Sequence, residues 1–151
     1  MNLSHFSEKL IEELRPIEPP RDPFFKPNGF WVSVDGADDW KAWCEAEAFA
    51  LDSLAIRHRV ILNDNFNILI LNSPIDILQF SGEFRAHNHE YFSDYIDWLS
   101  VMKKWDGVII APYQWSLRHH PQTHWYYSWD CASGCIWNLN AIRSIEMING
   151  N

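Results

Sequence analysis

Three short stretches of the chain bring together side chains able to do chemistry. His5-Phe6-Ser7 is the first. An imidazole offers one donor and one acceptor, and a neighbouring hydroxyl offers both, a pair suited to gripping a ribose. A surface histidine is the plainer alternative. The second is Lys26–Ser33 (KPNGFWVS). Gly29 lets a ligand approach the backbone closely. Trp31 offers a flat face suited to stacking on a pyridinium ring and steadying its charge. Ser33, two residues on, points the same way in an extended chain and offers a hydroxyl to a ligand amide or ribose. The third is Trp129–Asn138 (WDCASGCIWN). Here Asp130 stands among aromatics, where burial would raise its pKa, and Ser133 precedes a glycine at the mouth of a strand. A buried strand after a turn, and a loop whose aspartate caps a turn, are the plain readings of these last two.

Other reactive residue types fall into weaker patterns. His87 and His89, and His119, His120 and His124, include H-x-H and H-x4-H spacings, but no cysteine or carboxylate stands where a zinc site would need it. No metal site is expected. The three cysteines, Cys44, Cys131 and Cys135, are odd in number, and C-x3-C matches no common zinc or redox signature. Reduced thiols in a cytoplasmic protein are expected. Cys44 falls in a predicted helix and reads as core. G-x-G-x-x-G, the Walker loop and the G-x-S-x-G elbow do not occur.

The elements that must position these residues can be read from periodicity and punctuation. Asn2–Ser7 reads as an edge strand and Glu8–Arg15 as a short helix, with Leu10, Ile11 and Leu14 at helical spacing. Four prolines between Pro16 and Pro23 forbid regular structure there. Lys26–Gly29 is a turn and Phe30–Val34 a strand. Asp38 and Asp39 stand at the start of a helix running to about Leu51. Arg59–Asn63 and Phe66–Leu71 predict a hairpin around Asn63-Asp64-Asn65. Ser73-Pro74 opens a helix to about Phe84, and Tyr91–Trp105 has near-helical spacing. Val108–Ala111 reads as a buried strand. In Trp125–Asp130 (WYYSWD), a period of two would put Trp125, Tyr127 and Trp129 on one face. Cys135–Asn138 and Ile142–Ile148 complete a count of roughly six to eight strands with three or four helices, in no regular alternation. That argues for α+β rather than a doubly wound parallel sheet.

The 151 residues fit a single domain over 1–151, and 47% hydrophobic with 15% aromatic content suffices for a core. Nine tryptophans exceed ordinary usage and suit a surface for ring-shaped ligands or partner proteins, although most should be core. A net charge of −8 disfavours tight non-specific nucleic-acid binding. Arg57-His58-Arg59 and Arg118-His119-His120 are small basic clusters that solvated loops would explain. No signal peptide opens the chain and no apolar run approaches a membrane span, so no membrane partner is expected.

Together the three stretches resemble the ADP-ribosyltransferase fold of the diphtheria-toxin and poly-ADP-ribose-polymerase type. That family carries a ribose-binding His on its first strand, a G-x-aromatic-x-Ala/Ser strand that stacks on nicotinamide, and a Glu at the start of a late strand. His5 matches the first mark, and GFWVS, with Trp31 and Ser33, matches the second. Ser133 stands where the Glu would be, with Asp130 the nearest acid. The chain is also similar to small phage and bacterial proteins that share H-x-S, KPxGLWxS, W-x2-WC and WYYxWDxASGCIW. The resemblance implies two small packed, mostly antiparallel sheets forming a central cleft, with flanking helices. It implies NAD as cofactor, held by His5, Phe6, Ser7, Gly29, Trp31, Ser33, Trp40 and Trp129, with His5, Asp130 and Ser133 as the catalytic set. The activity would be ADP-ribosyl transfer to a protein or nucleic-acid acceptor, or NAD glycohydrolysis, in a toxin or phage-defence setting with an antitoxin or host protein as partner. Two alternatives stand beside it: a non-catalytic binder of NAD or ADP-ribose, and a small acidic inhibitor acting by its surface.

Overall fold

A computed structural model of the chain describes residues 1–18, 24–87 and 95–148. Among these residues, seven strands are β1 (Leu3–Ser7), β2 (Phe30–Val34), β3 (Ile56–Leu62), β4 (Ile68–Leu71), β5 (Gly107–Ile110), β6 (Ser133–Ile136) and β7 (Ile142–Ile148), and three α-helices are α1 (Trp40–Glu47), α2 (Pro74–Glu83) and α3 (Trp98–Met102). The class is α+β, as the sequence predicts.

The strands form one mixed sheet in the order β4-β5-β6-β2-β1-β3-β7. Two separate packed sheets are therefore not what these strands build. Only β4 and β5 run parallel. The middle of the sheet is its weakest seam. β1 pairs with β3 over five residues and β2 with β6 over four, but β1 and β2 share only Leu3↔Val34 and Ser4↔Ser33. Beyond Ser4 each strand follows its outer neighbour, so the sheet is one body with a partial split at its centre.

Other departures from the sequence reading have local causes. β1 is internal rather than an edge. Residues 8–15 are not helical: the Ile11 amide donates to His58 Nε2 3.3 Å away, tying this segment to β3, and Leu10 stays exposed with no face to bury. β3 and β4 do not form a hairpin; they lie at opposite parts of the sheet, where β3 pairs with β1 and β7. Arg57-His58-Arg59 lies in β3 rather than in a loop, and His58 is buried. α1 stops at Ala48, whose φ of 51° is left-handed. Its start is as predicted, with Asp39 accepting from the Ala42 amide. α2 likewise begins at the Ser73 cap and Pro74. The predicted Tyr91 helix start and His89 lie outside the described residues. Residues 125–128 of the WYYSWD stretch belong to a 3₁₀ turn (His124–Ser128), not a strand. Trp125, Tyr126 and Trp129 point inward while Tyr127 is exposed.

That turn supplies much of the core. Phe80 of α2, Trp98 of α3, Trp125 and Trp129 form a ring cluster with centroids 5.5–6.4 Å apart. Each buried ring removes a large apolar area from water, and tilted contacts add to that burial. Trp125 Nε1 donates to Ser81 Oγ at 2.8 Å, so its polar edge is satisfied within the core. The cluster anchors the segment from which Trp129 and Asp130 enter the site. Among the described residues, no helix is long and apolar enough to cross a membrane.

Candidate functional site

Where β1 and β2 part, a cavity of about 870 Å³ opens, lined on one side by His5 and on the other by Gly29, Phe30 and Trp31. Trp40 and Trp43 of α1 and the Trp129–Ser133 segment close it. Aromatic rings make up about half of its lining, and Glu18, Lys26, Asn28, Asp130 and Ser133 add polar groups, a make-up that suits a small-molecule site.

His5 is fixed at the seam. Its Nδ1 lies 2.7 Å from the Trp31 carbonyl oxygen, which can only accept, so Nδ1 carries the proton and Nε2 is left as an acceptor. The ring stacks on Phe30 (4.4 Å, 27°) and meets Trp40 edge-on at 5.6 Å. Burial lowers its pKa, the Trp31 hydrogen bond opposes that shift, and the charge of His58 adds to it. The net direction is down, so His5 is neutral at pH 7.

Trp31 is half-buried and, among the described residues, has two ring contacts with the protein itself. Its centroid is 5.0 Å from that of Trp129, and the Lys26 ammonium lies 5.2 Å over the ring. Burial lowers the Lys26 pKa, while the negative charge of Asp130 opposes the shift. Gly29 is required by the close packing of β2 on β6: a Cβ there would stand 2.6 Å from the Ile136 carbonyl oxygen.

Asp130 is not an isolated buried acid. Its side chain is 33% exposed and accepts from Arg118 Nη2 at 3.2 Å. Arg118 Nη1 donates to the Tyr113 hydroxyl at 2.7 Å, and that hydroxyl donates to the Trp129 carbonyl at 2.6 Å. A four-residue network thus fixes the carboxylate at the cavity wall. Ser133 also lines the cavity, but it is buried and its hydroxyl donates to the Cys131 carbonyl at 3.0 Å.

The structure therefore brings His5, Gly29, Trp31, Trp40, Trp129, Asp130 and Ser133 to one cavity. Three other sequence candidates stand apart from its lining. Phe6 is buried behind it, 6.2 Å from Trp40. Ser7 donates to the Lys9 carbonyl and faces a neighbouring hollow. Ser33 is buried and accepts from the Trp40 amide at 3.0 Å, so it holds the start of α1 rather than a ligand. Sequence reasoning assigned no role to Lys26, although the KPNG turn places it next to the strand that carries Trp31. Arg118 read only as one member of a basic cluster. Phe25 and Phe49, which help complete the aromatic wall, gave no signal beyond composition, and Trp43 entered only through the W-x2-WC motif.

No group of three metal-binding side chains converges among the described residues. The three cysteines are free and buried. Burial pushes the Cys131 thiol up to about 12 and that of Cys135 further in the same direction. Neither is a thiolate nucleophile. Compared with known proteins, the chain matches no family model, no curated protein and no solved structure.

Proposed function

We propose that the central cavity binds an NAD-type nucleotide, NAD or ADP-ribose, with its ring among the tryptophans and a ribose hydroxyl on His5. The observation that carries this is convergence. His5, Trp31 and Asp130 are far apart in sequence, yet they line one aromatic cavity at the seam of the sheet. A neutral imidazole with Nε2 free to accept suits a sugar hydroxyl, and the Lys26 ammonium suits a diphosphate. The volume also suits a dinucleotide fragment. The resemblance to ADP-ribosyltransferases points to the same ligand class.

Binding rather than turnover is the reading the polar groups favour. Transfer requires an anion beside the breaking glycosidic bond to stabilise the positive charge that develops there. Ser133 cannot supply one, and its hydroxyl is already engaged. Asp130 can, and its place in the cavity wall favours a second reading, NAD cleavage with transfer to water or to an acceptor. Arg118, however, already offsets its charge. Calorimetric titration with ADP-ribose and NAD, followed by a nicotinamide-release assay, tests both. Binding without release is the expected result. Release that falls about a hundredfold or more in Asp130→Asn would establish the catalytic reading instead. Absence of binding by both nucleotides would remove the nucleotide site altogether.

A further inference from the structure

Among the described residues, Lys26 is the one lysine or arginine in the lining of the cavity. It is half-buried, and its ammonium rests over the Trp31 ring, 5.2 Å from the centroid. The protein thus brings its own cation to the indole that a ligand pyridinium would need, and the other ring contact of Trp31 is taken by Trp129. Among the described residues neither lining carboxylate forms an ion pair with this cation, and Asp130 acts on it only through space. Asp130 is paired with Arg118, and Glu18 is exposed with no ion pair among those the described residues form.

A ligand ring carrying positive charge would meet a like charge a few ångströms away in a partly desolvated site, where such repulsion is much stronger than in bulk water. A diphosphate meets the opposite situation: the ammonium becomes its counter-ion. We propose that the cavity selects phosphate-bearing nucleotides whose ring is uncharged, such as ADP-ribose or a reduced dinucleotide, over oxidised NAD, and that Lys26 determines this choice. The inference rests on the nucleotide reading above and goes beyond it by naming the charge state of the ligand ring.

NADH and NAD carry the same diphosphate and differ at the ring that bears the charge, so they make the probe pair, with ADP-ribose as the reference that lacks the nicotinamide ring. By isothermal titration the wild-type protein should bind NADH and ADP-ribose about tenfold or more tighter than NAD, on the scale of a like-charge contact in a partly buried site. Lys26→Met should weaken all three and bring NADH and NAD within about twofold of each other, because the discriminating charge is gone. Lys26→Arg should keep the preference. Circular dichroism and the melting temperature of Lys26→Met establish that it folds. NAD binding as tightly as NADH to the wild-type protein, or an unchanged ratio in Lys26→Met, would overturn the selectivity and leave the nucleotide site standing. If none of the three nucleotides binds the wild-type protein, the site and its selectivity fall together.

Discussion

The imidazole of His5 donates through Nδ1 to the Trp31 carbonyl at 2.7 Å, joining β1 to β2 just beyond the point where their ladder ends at Ser4↔Ser33. A side chain here does what a backbone amide does elsewhere in the sheet. The cavity can open at the seam while the Trp31 carbonyl keeps a donor.

His5→Ala should therefore destabilise the protein by about 1–3 kcal/mol, the usual range for a buried polar group that loses its partner. His5→Asn should recover part of the loss, because its amide can donate to the same carbonyl. The pH dependence has a definite sign. The folded pKa lies below the ordinary value of 6.5, so the unfolded chain takes up the proton first. The stability His5 contributes is present in full above pH 6.5 and is lost as pH falls from there through the folded pKa. Urea titrations at a series of pH values should show this component in the wild-type protein and not in His5→Asn. An unchanged pH profile in the variant would assign the acid sensitivity elsewhere.

Glycine substitutions should divide by location. A Cβ at Gly29 would stand 2.6 Å from the Ile136 carbonyl oxygen, and one at Gly134 would stand 2.6 Å from that of Val108. Neither neighbour is a flexible side chain. Gly29→Ala and Gly134→Ala should each cost about 1–3 kcal/mol through overpacking. Gly82 lies in α2 with nothing within 4 Å of its missing side chain, so Gly82→Ala should stabilise by about 0.5–1 kcal/mol. Thermal denaturation of the three variants checks the order. Equal effects at all three sites would refute the packing argument.

What the sequence allowed to be read follows from how local each signal is. β2, the Asp39 cap and the Ser73-Pro74 start of α2 depend on a few adjacent residues, and all three lie where their residue types place them. The missed features depend on distant partners. The hairpin expected around Asn63-Asp64-Asn65 fails because β3 pairs with β1 and β7 while β4 joins β5, and no local turn chemistry encodes that choice. WYYSWD has strand-like composition, but Trp125 and Trp129 reach the same ring cluster only if the backbone coils, so core packing overrides propensity. In the site, His5, Trp31 and Asp130 were legible because each belongs to a residue type with obvious chemistry. Lys26, Ser33 and Arg118 were not, because their roles depend on which groups the fold places beside them: a ring, the amide of Trp40 and a carboxylate.

The cysteines should behave as core residues. Cys44, Cys131 and Cys135 are buried, and desolvation raises the pKa of each thiol, that of Cys131 to about 12. Reaction with iodoacetamide requires the thiolate. In native buffer at pH 8, mass spectrometry should show all three unmodified over a time in which urea-unfolded protein is alkylated fully. Rapid native alkylation of Cys131, which borders the cavity, would mean that this wall opens readily.

The Arg118–Asp130 pair offers the most discriminating measurement on the site itself. The two side chains are 21% and 33% exposed, between the surface pairs that contribute little and the buried pairs whose rupture costs several kcal/mol. The coupling expected from a double-mutant cycle is about 1 kcal/mol. Arg118→Met should cost more than that, about 1–2 kcal/mol, because it also removes a donor from the Tyr113 hydroxyl and the stacking of the guanidinium over Tyr127 at 5.1 Å. Asp130→Asn made in the Arg118→Met background should then add almost nothing. Arg118→Lys should not restore the network, because a single ammonium cannot span the two acceptors that the planar fork reaches 2.7 and 3.2 Å away. The coupling should weaken in 1 M salt, since the pair is only partly shielded from solvent. Strict additivity of the two substitutions in urea denaturation would show that Asp130 is held by its backbone alone, and Arg118 would then have no part in placing the carboxylate at the cavity wall.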